Sequence, residues 1–279
     1  MTNGTLANPV YAGVFGCIMV LGLPLNALSL WILLHHHSLK SPTGVLMVNL
    51  AISDLLLVIS LPMRIYFYVT GSWPLGRYAC TVTTMLFRNN IRSSSIFITF
   101  ISVDRLLAVV YPLRSRHVRT STNAWKSVAL VWLFVLVWSV PESVGFLNNQ
   151  NKNISTCFEV PQLTTVQLIT YFHVVLVIIT LTVNVVCTVL VSWTVRRHLS
   201  DSAKVKNKVN VMLIFAMNLL MFTVCFLPVT IGLVIKNREV IVPLVCLASV
   251  NCCLDPLLYY FSFDAFWRKP EDVDHSREL

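Results

Sequence analysis

Apolar runs of membrane-spanning length recur seven times along the chain, at roughly Val10–Leu34, Val45–Val69, Ala79–Val110, Trp125–Leu147, Thr165–Val195, Val209–Ile235 and Val240–Phe261. Each meets or exceeds the ~20 residues that carry a helix across a bilayer. Charged residues collect in the gaps, and the gaps are short. The pattern predicts an all-α membrane protein, a single seven-transmembrane helix bundle occupying residues 1–262. Beyond it, Phe263, Phe266 and Trp267 recur at helical spacing beside Arg268 and Lys269. That spacing predicts a short cytoplasmic amphipathic helix and tail over 263–279, lying on the inner leaflet.

Composition agrees with the pattern. Of 279 residues, 56% are hydrophobic and 12% charged, about half the charge of a typical soluble domain. Lys40; Arg114, Arg116, Arg119 and Lys126; and Arg196, Arg197, Lys204, Lys206 and Lys208 all fall in the first, third and fifth connections. The positive-inside rule therefore places the amino terminus outside the cell. The net charge of +9 then belongs mainly to the cytoplasmic face, where anionic lipid and acidic protein surfaces lie. Nucleic-acid binding is not needed to explain it. No basic start with a small-residue cleavage site precedes Val10, so the first helix is expected to act as the targeting signal. The sequons at Asn3 and Asn153 both fall on the exterior side, where glycosylation occurs. Six cysteines lie inside apolar runs; Cys80 and Cys157, near the outer surface, are the pair free to form a disulfide.

Ionisable residues inside the spans are costly in hydrocarbon and mark function. Arg88 and Arg92 sit one helical turn apart, about 12 and 18 Å below Cys80 along the third helix, and Arg64 sits about 15 Å above Asp54 along the second. Each arginine has a bland reading, snorkelling to the interface or bonding a neighbouring backbone. Three at similar depth in the outer half read as a site for an anion, which guanidinium groups bind bidentately. Tyr66, Phe87, Phe172 and Leu233 are expected to supply apolar walls, His173 a titrating neighbour, and Lys236 and Arg238 a basic rim. Deeper, Asp54, Ser94, Asn251 and Asp255 bring oxygens to one level. They predict either a hydrated sodium ion, since hard cations take oxygen ligands, or a protonated Asp54 within a water-filled network.

Asp104-Arg105 ends the third span. Cys225-Phe226-Leu227-Pro228 and Asp255-Pro256-Leu257-Leu258-Tyr259 place prolines inside the sixth and seventh, where a helix kinks unless the freed carbonyl is satisfied otherwise. With Asn26, Pro62 and Trp132, this order resembles the rhodopsin-like (class A) G-protein-coupled receptors over residues 10 to about 267. The resemblance implies that Asp104 and Arg105 form the coupling switch, with Arg105 paired to Asp104 in one state and facing a G protein in another. It makes Phe222, Phe226, Pro228, Pro256 and Tyr259 activation elements, pairs Cys80 with Cys157, and assigns Asp54, Ser94, Asn251 and Asp255 to a sodium site. Phe100–Arg105 followed by Tyr111-Pro112-Leu113, together with Leu61–Tyr66 and Asn251–Pro256, is similar to the purinoceptor-related branch, which includes lysophosphatidic acid and related lysophospholipid receptors.

The chain also departs from the family pattern. The fifth span has no proline near Thr180, Leu106 stands where a tyrosine is usual, and about 27 residues lie between Pro228 and Pro256. One anionic head with an apolar body would suit the arginines, so the expected ligand is a lysophospholipid such as lysophosphatidic acid, with heterotrimeric G proteins and membrane lipids as the other partners. A nucleotide or small carboxylate is the alternative within the branch, although Leu233 and the apolar stretch Val240–Val245 leave the last two helices without basic residues below the rim. A secondary transporter of organic anions would show internal repeats with paired broken helices, which the chain lacks. An enzyme is not expected: His173 stands alone, and His35-His36-His37 reads as an interfacial polar run. Apart from sodium, no metal or cofactor is expected. The basic connections Arg114–Arg119 and Arg196–Lys208 are expected to steer the G protein, at the plasma membrane.

Overall fold

The computed structural model describes residues 7–35, 39, 41–149, 157–158, 164–198, 205–235 and 237–262. The short helix expected over 263–279, the sequon asparagines Asn3 and Asn153, and Lys236 lie outside these residues; of Arg238 only the backbone is described. Seven helices long and apolar enough to cross a membrane are present, each within a few residues of its predicted run.

The first four spans are single helices: α1 (Pro9–His35), α2 (Pro42–Thr70), α3 (Gly76–Val110) and α4 (Ser121–Asn149). The fifth, α5 (Thr164–His198), runs unbroken, as expected of a span without an internal proline. The sixth span is α6 (Val205–Leu220), a π-helical stretch at Met221–Phe226, and α7 (Leu227–Ile235). The seventh is α8 (Arg238–Ser249) and α9 (Asn251–Ser262). The sequence places the bends of these last two spans at Pro228 and Pro256. In the structure the ladder is already irregular upstream, with a π turn before Pro228 and a break at Val250 before Pro256, which is where extra or missing backbone bonds let a helix change direction.

The starts and stops are chemical. Ser41 caps α2 by accepting from the Gly44 amide at 3.0 Å, with Pro42 in the first turn. Gly71 ends α2 at φ 68°, returning its amide to the Phe67 carbonyl; a side chain there would be strained and would press on Ala7. Pro256 cannot donate to the carbonyl four residues back, that of Cys252. Asn26 of α1 does so instead, with its amide 2.6 Å from that oxygen, so the proline's lost bond becomes a clamp between the first and seventh spans. Trp132 of α4 donates to Asn49 of α2 at 3.0 Å. The second span, enclosed by these neighbours, is the most buried, and it carries both Asp54 and Arg64.

Candidate functional site

At the end of the bundle that carries the Cys80–Cys157 bridge, a cavity of about 60 Å³ is lined by Arg64, Arg88, Arg92, Glu142 and His173, with Phe87, Leu233 and other apolar side chains as walls. The three arginines thus meet, as their depths predict. They are not all stranded. Glu142 of α4, 1% exposed, accepts from Arg88 with one carboxylate oxygen and from Arg92 with the other, the latter at 2.5 Å. The expectation that Arg88 and Arg92 await an outside anion is corrected to this extent: the protein itself supplies one negative charge between them. Two cations a turn apart on one helix are tolerable in a low-dielectric site because a carboxylate bridges them. Arg92 also donates to Asn89 at 3.2 Å, and Asn89 in turn accepts from Ser139. Glu142 was legible in principle, being the single acidic residue in the fourth span.

Arg64 stands differently. It is 3% exposed, its guanidinium lies 4.7 Å from the Phe87 ring centre and 4.4 Å from that of Phe158, and its Nε has no hydrogen-bond partner. No carboxylate among the described residues reaches it. Aromatic faces attract a cation but return only about 0.5–2 kcal/mol, short of an ion pair. Phe158 is brought there by the bridge between Cys80 and Cys157, whose Cα atoms are 5.7 Å apart, the pair that the resemblance implies. The cavity then carries three cations and one anion.

Two predicted wall residues are elsewhere. Tyr66 is exposed, because two residues beyond Arg64 is more than half a turn round the helix; Tyr68 lines the cavity in its place. Phe172 is exposed too and packs edge-on against Trp138, turned away from the cavity that its neighbour His173 faces. His173 is buried, and its Nδ1 has no partner.

Beneath the cavity, Asp54 accepts from Asn90 at 3.0 Å and from Ser94 at 3.5 Å. One Asp54 oxygen, both Asp255 oxygens, the Asn251 amide and the Tyr259 hydroxyl are buried without partners. Asn90 was not anticipated as a member, although it lies one turn before Ser94. Orphaned oxygens on this scale need water, a proton or a hard cation. The residues present fit a sodium ion by donor type.

At the opposite end of the bundle, Asp104 does not pair with Arg105. Its oxygens accept from Arg119 at 2.7 and 3.2 Å and from Thr43 at 2.6 Å, while the Arg105 Nε is buried without a partner. Arg119, expected to face a G protein, is spent on this ion pair; Arg114 and Arg116 remain exposed. Above it, a chain of bonds joins three spans: Asn184 of α5 donates to Thr99 at 2.9 Å, Ser102 donates to Asn184 at 2.5 Å, and Asn218 of α6 donates to Ser102 at 2.6 Å. Phe222 and Phe226 pack edge-to-face at 5.2 Å in the π stretch just above.

Comparison with known proteins agrees with this geometry. The sequence model of the family described as 7 transmembrane receptor (rhodopsin family) matches residues 25–259. Lysophosphatidic acid receptor 6 of Gallus gallus is 34% identical over 286 residues, covering 94% of this chain and 93% of that protein. Lysophosphatidic acid receptor 4 of Homo sapiens is 34% identical, covering 91% of this chain and 74% of its own length. Cysteinyl leukotriene receptor 1 of Homo sapiens is 30% identical, with coverages of 94% and 84%. With seven spans, a bridged outer connection and a π-bulged sixth helix above Asp104-Arg105, the chain belongs to the rhodopsin family of seven-transmembrane receptors, which are not enzymes.

Proposed function

We propose that this receptor sits in the plasma membrane with its amino terminus outside, is activated by a lysophospholipid with a phosphate monoester head, such as lysophosphatidic acid, and signals to heterotrimeric G proteins. The observation that carries the reading is the charge of the outer cavity: Arg64, Arg88 and Arg92 against Glu142 leave two positive charges, and Arg64 has no carboxylate among the described residues. A phosphate monoester carries about −1.5 to −2 at neutral pH, which closes that balance. Beyond the arginines the cavity walls are apolar, so the head group meets the guanidinium groups and the hydrocarbon chain lies along those walls. The relatives named for lysophosphatidic acid support the same class.

Ligand bound to Arg64 on α2 and to Arg88 and Arg92 on α3 draws these helices together around the head, and the sixth span responds by swinging at the π stretch and Pro228. The ligand shifts this equilibrium only by its differential affinity for the two arrangements. Arg105 then meets the G protein. A sodium ion held by Asp54, Ser94, Asn251 and Asp255 belongs to the arrangement in which these residues are closest.

A panel of lysophosphatidic acid, lysophosphatidylcholine, nucleotides and leukotriene-type carboxylates, read as nucleotide exchange on G proteins in reconstituted membranes, tests the ligand class. Lysophosphatidic acid is expected to act at concentrations at least tenfold below the rest; a nucleotide or a carboxylate acting first would replace this reading. The Thr99–Asn184–Ser102–Asn218 chain yields a further expectation. Asn218 lies on the inner side of the π stretch, so its bond to Ser102 has to break when the inner end of the sixth span moves. Removing it as Asn218→Leu gives up about 1 kcal/mol and is expected to raise ligand-free exchange roughly fivefold. Unchanged basal exchange in a well-expressed variant would show that the chain does not restrain the helix.

A further inference from the structure

A second cavity, of about 420 Å³, lies on the outside of the bundle between α3, α4 and α5, with Ile96, Phe100, Leu130, Phe134 and Leu176 among its walls. Thr99, which also lines it, is about 9 Å above Arg105 along α3, so the groove sits in the inner leaflet's half of the span. Its hydroxyls are engaged within the protein. Thr99 donates to the Ser95 carbonyl at 2.7 Å, Thr180 to the Leu176 carbonyl at 2.9 Å, and Ser127 to the Asn123 carbonyl at 3.0 Å. The groove therefore has no hydroxyl proton left to donate, and what it presents to an occupant is hydrocarbon.

Its inner mouth is chemically different. Lys126, Leu130 and Phe134 follow one another at intervals of four and so share one face of α4. Leu130 and Phe134 line the groove, and Lys126 is the next step toward the cytoplasm, exposed, with the exposed Trp125 beside it. Tryptophan and lysine at that level are interfacial anchors, and the cytoplasmic leaflet is the one rich in anionic lipid. We infer that this groove is a binding site for an anionic phospholipid of the inner leaflet, its acyl chain lying between α3, α4 and α5 and its phosphate at Lys126. The site is separate from the outer cavity and stands whether or not the ligand reading above is right. Its wall residue Thr99 accepts from Asn184, so the occupant lies against one end of the chain of bonds that reaches Asn218.

The test uses phosphatidylserine and phosphatidylcholine, each with a photoreactive group midway along one chain, in nanodiscs holding the full receptor, with crosslinks mapped by mass spectrometry. Phosphatidylserine is expected to label Ile96–Val103, Ser127–Phe134 and Leu176–Thr180 about fivefold more than phosphatidylcholine does, the preference one basic residue gives near a charged surface. Lys126→Ala should bring the two lipids level. Leu130→Trp, which fills the groove from its lipid-facing side, should remove labelling there while labelling elsewhere on the bundle persists, and that persistence reports an intact fold. Labelling spread evenly around the bundle, equal labelling by the two lipids, or groove labelling lost to an added sterol would each overturn the assignment.

Discussion

Replacing Glu142 by alanine is expected to cost the receptor more stability than any single arginine replacement in the same cluster. The variant leaves Arg88 and Arg92 facing each other a turn apart with no anion between them, and stranding buried charge in this way costs about 3–5 kcal/mol. Arg88→Met removes a cation instead and leaves Arg92 and Glu142 as a neutral pair with its 2.5 Å bond intact. The order of thermal unfolding of the detergent-solubilised variants, followed by size-exclusion chromatography, decides the matter: Glu142→Ala should aggregate well below the parent and Arg88→Met close to it. Equal stability of the two would mean that the carboxylate does not hold the arginines in place.

Arg64 should behave in the opposite sense. It is buried, faces two aromatic rings, and has an Nε with no acceptor, so the ligand-free fold carries it at a cost. Arg64→Met is therefore expected to unfold at the same or a higher temperature than the parent. Its response to lysophosphatidic acid should fall by roughly 10- to 150-fold in the concentration for half-maximal exchange, the equivalent of one lost charge-assisted hydrogen bond at about 1.5–3 kcal/mol. Stability and response moving apart is the signature of a residue kept for its ligand. A variant that loses both together would instead make Arg64 a structural member of the bundle.

The fold was legible because hydrophobic length is a one-dimensional signal. Each span's limits follow from where apolar residues stop, and the kinks follow from Pro228 and Pro256, with the offset to the π stretch and to Val250 set by backbone packing that composition does not encode. The site was legible in part. Depth along a helix places Arg64, Arg88 and Arg92 at one level, and Asp54, Ser94, Asn251 and Asp255 at another. What depth cannot supply is angle, hence the misplacement of Tyr66 and Phe172, both a residue or two from positions that do face the cavity. Nor does it pair charges across the bundle. Glu142 lies some 50 positions from the arginines it neutralises and Arg119 lies beyond the end of the helix that carries Asp104, so each partnership depends on how helices are set side by side.

The close packing of α7 on α8 has a mechanical corollary. α7 ends at Ile235 and α8 begins at Arg238, and Gly232 lets the two helices approach so closely that a single added methyl would meet a side-chain carbon of Leu244 at 2.7 Å. Contact this close fastens α7 to the seventh span like the rivet of a pair of shears, so in the motion proposed above the blade free to move is the part of the sixth span that precedes its π stretch.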